Sequence, residues 1–189
     1  MEIITKVKEM EHEISITGDR VILRAAGEQD LKMLQSLIRD PEIVKVTKGY
    51  QNPVSRKSPA DRDRFWPVPA GSLRRVIADR KDPRPGLGLI MLSGMDEEKG
   101  TAQIYIKLLK SARGRGYGRD AVEALVSYAF EALSLNGIYS GILEDNMASR
   151  RLFEACGFRR EKTHEGSTDR DGNSRRVCIY VRKAETAAT

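Results

Sequence analysis

Cysteine is scarce, with only Cys156 and Cys178 among 189 residues. That is too few for the disulfide lattice that holds small secreted domains together. Histidine is equally rare, and neither His12 nor His164 has a second ligand type at metal spacing, so no zinc site is expected. No run approaches the roughly 20 apolar residues that span a bilayer, and the opening MEIITKVKEMEHE has no secretory apolar core. Aromatic residues make up 6% of the chain and do not interleave with its basic clusters, which argues against a stacking platform for nucleic acid. Internal repeats and low-complexity linkers are missing as well. These absences leave a soluble, cytoplasmic chain with no metal and no membrane partner as the expectation.

What remains is 40% hydrophobic and 32% charged, enough to bury a core. Lys and Arg number 33 against 27 Asp and Glu, and a net charge of +6 suits an anionic partner. The length fits one domain, read as residues 19–184, with a charged, helix-like arm over 1–18 and a tail at 185–189. Val21 to Ala25 reads as a strand. Glu28 to Arg39 places Leu31, Leu34, Leu37 and Ile38 on one helical face, stopped at Asp40-Pro41. Prolines 53, 59, 67 and 69 punctuate a long basic connection over 45–71. Three strands follow at 73–78, 87–92 and 101–109, then a helix over 118–135 and a strand at 138–143. A short helix over 148–155 closes at Gly157, and two last strands flank a turn at Asp171-Gly172. The pattern predicts a mixed α/β sheet, mostly antiparallel, with one strand–helix–strand crossover.

Chemistry concentrates in Arg113-Gly-Arg-Gly-Tyr-Gly118, which leaves a strand and opens a helix. Unpaired N–H groups and the helix dipole favour an anion there, and glycine lets a phosphate approach closely. No Gly-Lys-Ser/Thr follows, so this is not a Walker loop. The dinucleotide pattern fails because position 119 is arginine. The spacing that fits is Arg-x-x-Gly-x-Gly, carried by Arg113, Gly116 and Gly118. A second motif lies downstream: Asn146-Met-Ala-Ser149-Arg-Arg-Leu152-Phe153, then Gly157-Phe158. Together they resemble the hallmarks of the GNAT acyltransferases, most like the branch of ribosomal-protein N-terminal and polyamine acetyltransferases. The resemblance spans most of the chain and is sharpest over 101–160. Taken alone, Asn146 reads as a helix cap and Phe153 as core.

The resemblance implies a GNAT-type fold, a mixed and mostly antiparallel central sheet flanked by helices, with acetyl-coenzyme A as co-substrate. It implies that strand 101–109 ends at a bulge and splays from strand 138–143, so that backbone groups of Ile106, Lys107 and Leu108 pair with the pantetheine arm. The Leu108 N–H would then polarise the thioester oxygen. It also gives the pyrophosphate to Arg113, Gly114, Arg115, Gly116, Tyr117, Gly118 and Arg119, the arm to Asn146, and the neighbourhood of the thiol to Phe153. Two departures stand out: Phe153 replaces the Tyr that protonates the leaving thiolate in many members, and Gln103 replaces a Glu that relays the amine's proton. Tyr105, on the same strand face as Gln103, and Glu144 or Asp145 are the candidate substitutes, against the plain readings of a half-buried strand aromatic and a solvated acidic loop. The acceptor is read as a primary amine, on a protein N-terminus or else a small molecule, and the oligomeric state stays open, a homodimer included. Trp66, with Tyr50, Arg62, Arg64 and Phe65, either walls the acceptor pocket or anchors its own loop. Two rivals remain: a degenerate sensor of acyl-coenzyme A, and an RNA- or ribosome-binding domain.

Overall fold

The computed structural model describes residues 14–47, 71–168 and 174–185. Among the described residues, two strands come first, β1 (Ile16–Thr17) and β2 (Val21–Arg24), followed by helices α1 (Leu31–Arg39) and α2 (Pro41–Thr47). Three strands come next, β3 (Leu73–Asp79), β4 (Gly86–Asp96) and β5 (Thr101–Leu108). Helix α3 (Tyr117–Glu131) then leads to strand β6 (Gly137–Leu143), helix α4 (Met147–Ala155) and the pair β7 (Arg159–Thr168) and β8 (Ser174–Lys183). The eight strands form one sheet in the order β1-β2-β3-β4-β5-β6-β8-β7. Every neighbouring pair is antiparallel except β5–β6, the parallel pair joined through α3.

Side chains alternate across the sheet and sort the core into two parts. On one face, Ile77, Ile90, Leu92 and Ile104 pack against Ala121, Val122 and Leu125 of α3 and Phe153 of α4. On the other, Met33, Leu34 and Leu37 of α1 and Ile43 of α2 cover Val76 and Leu89. Leu37 is fully buried, and removing such a side chain to Ala costs about 2–5 kcal/mol. Leu31 and Ile38, expected on this face, lie at its margin and are half-buried.

Several elements differ from the sequence reading. Residues 16–17, expected in a helix-like arm, pair with Ile22 and Leu23 as an edge strand, because Ile16 has a place in the core that an exposed helix would deny it. Asp40-Pro41 ends α1 as expected but also starts α2: the Asp40 carboxylate accepts the N–H groups of Glu42 and Ile43 at 2.9 and 3.4 Å. Proline at the first helical position needs no N–H partner. Helix α3 ends at Glu131 rather than 135, while Leu133 and Leu135 stay buried beyond it. Gly157, at φ 78°, closes α4 as expected. The turn at Asp171-Gly172 and the segment holding Tyr50, Arg62, Arg64, Phe65 and Trp66 lie outside the described residues.

Candidate active site

Strands β5 and β6 pair only through Thr101–Gly137, Ala102–Ile138 and Gln103–Tyr139. One further tie, from Ser140 Oγ to the Ile104 carbonyl at 3.1 Å, precedes their separation. On its other side β5 stays in register with β4 as far as Gly88–Leu108, and the Leu109 N–H bonds the Leu87 carbonyl at 2.9 Å. Backbone groups alternate sides along a strand, so those of Ile106 and Leu108 face the gap. The splay is therefore present, but the bulge expected at the end of β5 is not. The irregularity lies at the opposite end, between Ser93 and Asp96 of β4, and the gap arises from lost pairing with β6. Gly88 permits the close register: a Cβ there would lie 2.2 Å from the Lys107 carbonyl oxygen.

The glycine turn runs beside this gap. Gly114 and Gly116 have φ of 70° and 84°, the left-handed region that glycine enters without penalty, and Gly116 caps α3. The space over Gly114 is open to 4 Å, whereas a Cβ at Gly116 would lie 2.8 Å from Arg20 Nη1. Gly118 is buried against Leu108 and Leu152. Tyr117 is buried, and its hydroxyl donates to Asp79; that bond holds the Asp79 carboxyl below its usual range and the Tyr117 hydroxyl above its own. The guanidinium groups of Arg20 and Arg115 stand 5.3 and 5.2 Å from the Tyr117 ring centre. Asp120, in the first turn of α3, accepts the backbone N–H groups of Asp19, Arg20 and Val21 at 3.0, 2.8 and 2.8 Å.

Two arginines of the turn are otherwise engaged. Arg119 pairs with Glu123 along the exposed side of α3. Arg113, expected at the pyrophosphate, instead reaches back to the junction of α1 and α2. There it bonds Asp40 at 2.5 Å and Glu42, while its Nε donates to the Leu108 carbonyl at 3.0 Å. Two carboxylates at the junction hold its charge, and the fork of a guanidinium suits such a clamp.

Tyr105 and Lys107 share a shallow hollow with Arg74, Leu89 and Met91, on the sheet face opposite α3. Burial pushes the Lys107 amine down to about 8. Gln103 continues the same face, paired across to Ser93 and Tyr139. Glu144 follows β6 on the far flank of the gap, its carboxylate 3.4 Å from Arg176. Its neighbour Asp145 bonds Arg175 at 2.6 Å, and Arg175 in turn donates to the Lys45 carbonyl at 3.0 Å. The fold thus joins Tyr105 with Lys107 in one hollow, and Glu144 is not among the residues that line it. Asn146 caps α4 by accepting the Ser149 N–H at 3.2 Å. Phe153, expected beside the thiol, lies in the core: it is 2% exposed and meets Phe158 edge to face at 4.9 Å, because its helical position points inward.

Three residues that shape the site were missed in the sequence: Arg20, Gly88 and Asp120. No local pattern marks them, since their partners lie between 19 and about a hundred positions away. Among the described residues, no cluster of three His, Cys, Asp or Glu could hold a metal, and no helix is long and apolar enough to cross a membrane.

A divergent parallel strand pair beside a glycine-rich helix start is the framework of an acyltransferase. The sequence profile of the Acetyltransferase (GNAT) domain matches residues 20–159, and the chain belongs to that family. It is an acetyl-coenzyme-A-dependent N-acetyltransferase. One relative, the uncharacterized N-acetyltransferase p20 of Bacillus licheniformis, is 28% identical over 149 residues, 76% of this chain and 81% of its own. Another, the spermidine N(1)-acetyltransferase of Vibrio cholerae, is 28% identical over 142 residues, covering 75% and 80%. The fold is also similar to the crystal structure of spermidine N-acetyltransferase from Vibrio cholerae in complex with CoA and spermine. That similarity has a TM-score of 0.70 at 21% identity, over 87% of this chain and 95% of that one.

Proposed function

We propose that acetyl-coenzyme A lies in the gap between β5 and β6 and that an amine reaches it from the face bearing Tyr105. The observation that carries this reading is the gap itself, lined by backbone groups of Ile106 and Leu108 and running up to an exposed glycine turn. The co-substrate supplies an activated acetyl group. The N–H groups from Gly114 to Arg119 bind its pyrophosphate, aided by Arg115, since a helix start with left-handed glycines offers donors without side-chain obstruction. The Ile106 and Leu108 backbone holds the arm as an added strand, and the Leu108 N–H stabilises charge on the thioester oxygen. Lys107 contributes through its strand position, and the Asn146 amide nitrogen, free of the capping role of its oxygen, donates to the arm. Arg113 acts from a distance, fixing the Leu108 carbonyl.

Tyr105 is the proton donor or relay on the acceptor side, and Glu144 the base across the gap, working through water. The acceptor is a protein N-terminus before a small amine. The hollow presents Arg74 and Lys107 to it, and a polyamine needs carboxylates at that place. We place the enzyme in the cytoplasm, a reading supported by two buried cysteines that remain thiols.

Calorimetric titration with acetyl-coenzyme A, beside Gly116→Trp, tests the site. A side chain at 116 meets both an unfavourable φ and Arg20. The expected result is binding by the parent protein and none by the variant when circular dichroism reports both folded. Equal binding by the two would refute the assignment of the turn.

A further inference from the structure

The hollow on the acceptor face contains an amine of the protein's own. Lys107 sits between Ile106 and Leu108, the two residues whose backbone groups face the gap. Its side chain stands on the face of β5 shared with Tyr105, opposite its cross-strand partner Leu89, and lines the hollow with Arg74 and Met91. We propose that Lys107 is a self-acetylation site, taking the acetyl group when no external amine occupies the hollow. The proposal rests on the binding mode above, which brings the thioester to Leu108, one residue along β5 from Lys107.

The chemistry is that of the enzyme's own reaction. The Nζ lone pair forms a C–N bond to the thioester carbonyl carbon, the C–S bond breaks with its electrons on sulfur, and the proton shed by nitrogen goes to the thiolate or to water. Only a neutral amine can attack. Apolar burial beside Leu89 and Met91 holds the Lys107 pKa near 8; among the described residues, Arg74 and Tyr105 are the charged and titratable groups that line the hollow with it. About one molecule in ten is then neutral at pH 7, a few-hundred-fold more than for an ordinary lysine. Once formed, the amide is longer and uncharged and fills the hollow between Arg74 and Tyr105. Acetyl-coenzyme A accumulating without acceptor would thus turn the enzyme down.

Mass spectrometry of the full chain after incubation with acetyl-coenzyme A at pH 8, without acceptor, tests this. One acetyl group on the peptide carrying Lys107 is expected, absent from Lys107→Arg and from Gly116→Trp. A second measurement needs no coenzyme: competitive labelling with trace acetic anhydride across pH should show Lys107 reacting with a midpoint near 8, below Lys99, whose amine is raised by its bond to Asp96. Binding of acetyl-coenzyme A by calorimetry with Lys107 left unmodified would overturn the inference and spare the binding mode. Equal acetylation of Lys107 in Gly116→Trp would overturn it too, as reaction from solution. Absence of binding would bring down the binding mode and the inference with it.

Discussion

Asp120 offers the sharpest test of how the glycine turn is built. Its carboxylate accepts three backbone N–H groups from residues 19–21, a hundred positions away. Asp120→Ala leaves all three without an acceptor. Asp19 and Arg20 are exposed and can turn to water at little cost, but Val21 is fully buried. A buried donor left unmet costs about 1–3 kcal/mol, and a hydrogen bond to a charged group contributes about 1.5–3 kcal/mol. Counting the two exposed donors at a fraction of that, the expected loss is about 2–4 kcal/mol, or about 5–15 °C in Tm for a chain of this size. Asp120→Asn should cost about half as much, since its one amide oxygen can serve the Arg20 and Val21 donors while its NH2 faces the Asp19 N–H. Gly18 supplies a check from the other side: a Cβ there would lie 2.6 Å from Asp120 Oδ2. Gly18→Ala should therefore destabilise the parent protein yet have a much smaller effect in Asp120→Ala, a coupling that a double-mutant cycle reads directly. Thermal and urea unfolding by circular dichroism are the assays. A loss below about 0.5 kcal/mol in Asp120→Ala, the level of an ordinary surface substitution, would refute the reasoning, as would simple additivity with Gly18→Ala.

Two further outcomes are expected. Gly88→Ala forces a methyl group against the Lys107 carbonyl, so it should lower stability by about 1–3 kcal/mol and weaken acetyl-coenzyme A binding together with it; an unchanged Tm would show that the strands tolerate the side chain. Arg113→Ala releases Asp40, Glu42 and the Leu108 carbonyl, and because these groups are partly exposed the expected loss at pH 7 is about 1 kcal/mol. Burial raises the Asp40 pKa, but the N–H of Glu42 and the Arg113 guanidinium outweigh it and the net shift is downward. Its stabilisation is thus complete above the ordinary carboxylate range and is lost as pH falls through the lowered value. The gap between parent and variant should narrow below about pH 4; a gap independent of pH would separate Arg113 from Asp40.

Strands and helices were legible wherever apolar residues kept a period, as in β3, β4, β5 and α3. Residues 16–17 were not, because two residues carry no period and only the open edge of β2 makes them a strand. The start of α2 was legible in principle, for Asp-Pro is a cap followed by the one residue that needs no N–H partner; the stop signal it also gives to α1 masked it. In the site, Gly114 and Gly116 were readable because positive φ favours glycine, and the face shared by Gln103 and Tyr105 followed from strand alternation. The partners of Arg113 were not readable. Nothing near position 113 announces carboxylates at 40 and 42, which tertiary packing alone brings there. Phe153 shows the converse: of the two readings its motif position allowed, the place in the core was legible from its apolar helical position alone.

The ties around the glycine turn bear on the entropy of ligand capture. Residues 114–116 are exposed and carry two left-handed glycines, the composition of a segment free to wander. Yet its entry is fastened through Arg113 to α1 and α2, and its exit through Tyr117 and Asp120 to β2 and β3. The chain's freedom there is surrendered during folding rather than at encounter. In the proposed binding mode, a phosphate arriving at such a turn finds its donors already aimed, so that more of each contact survives as affinity.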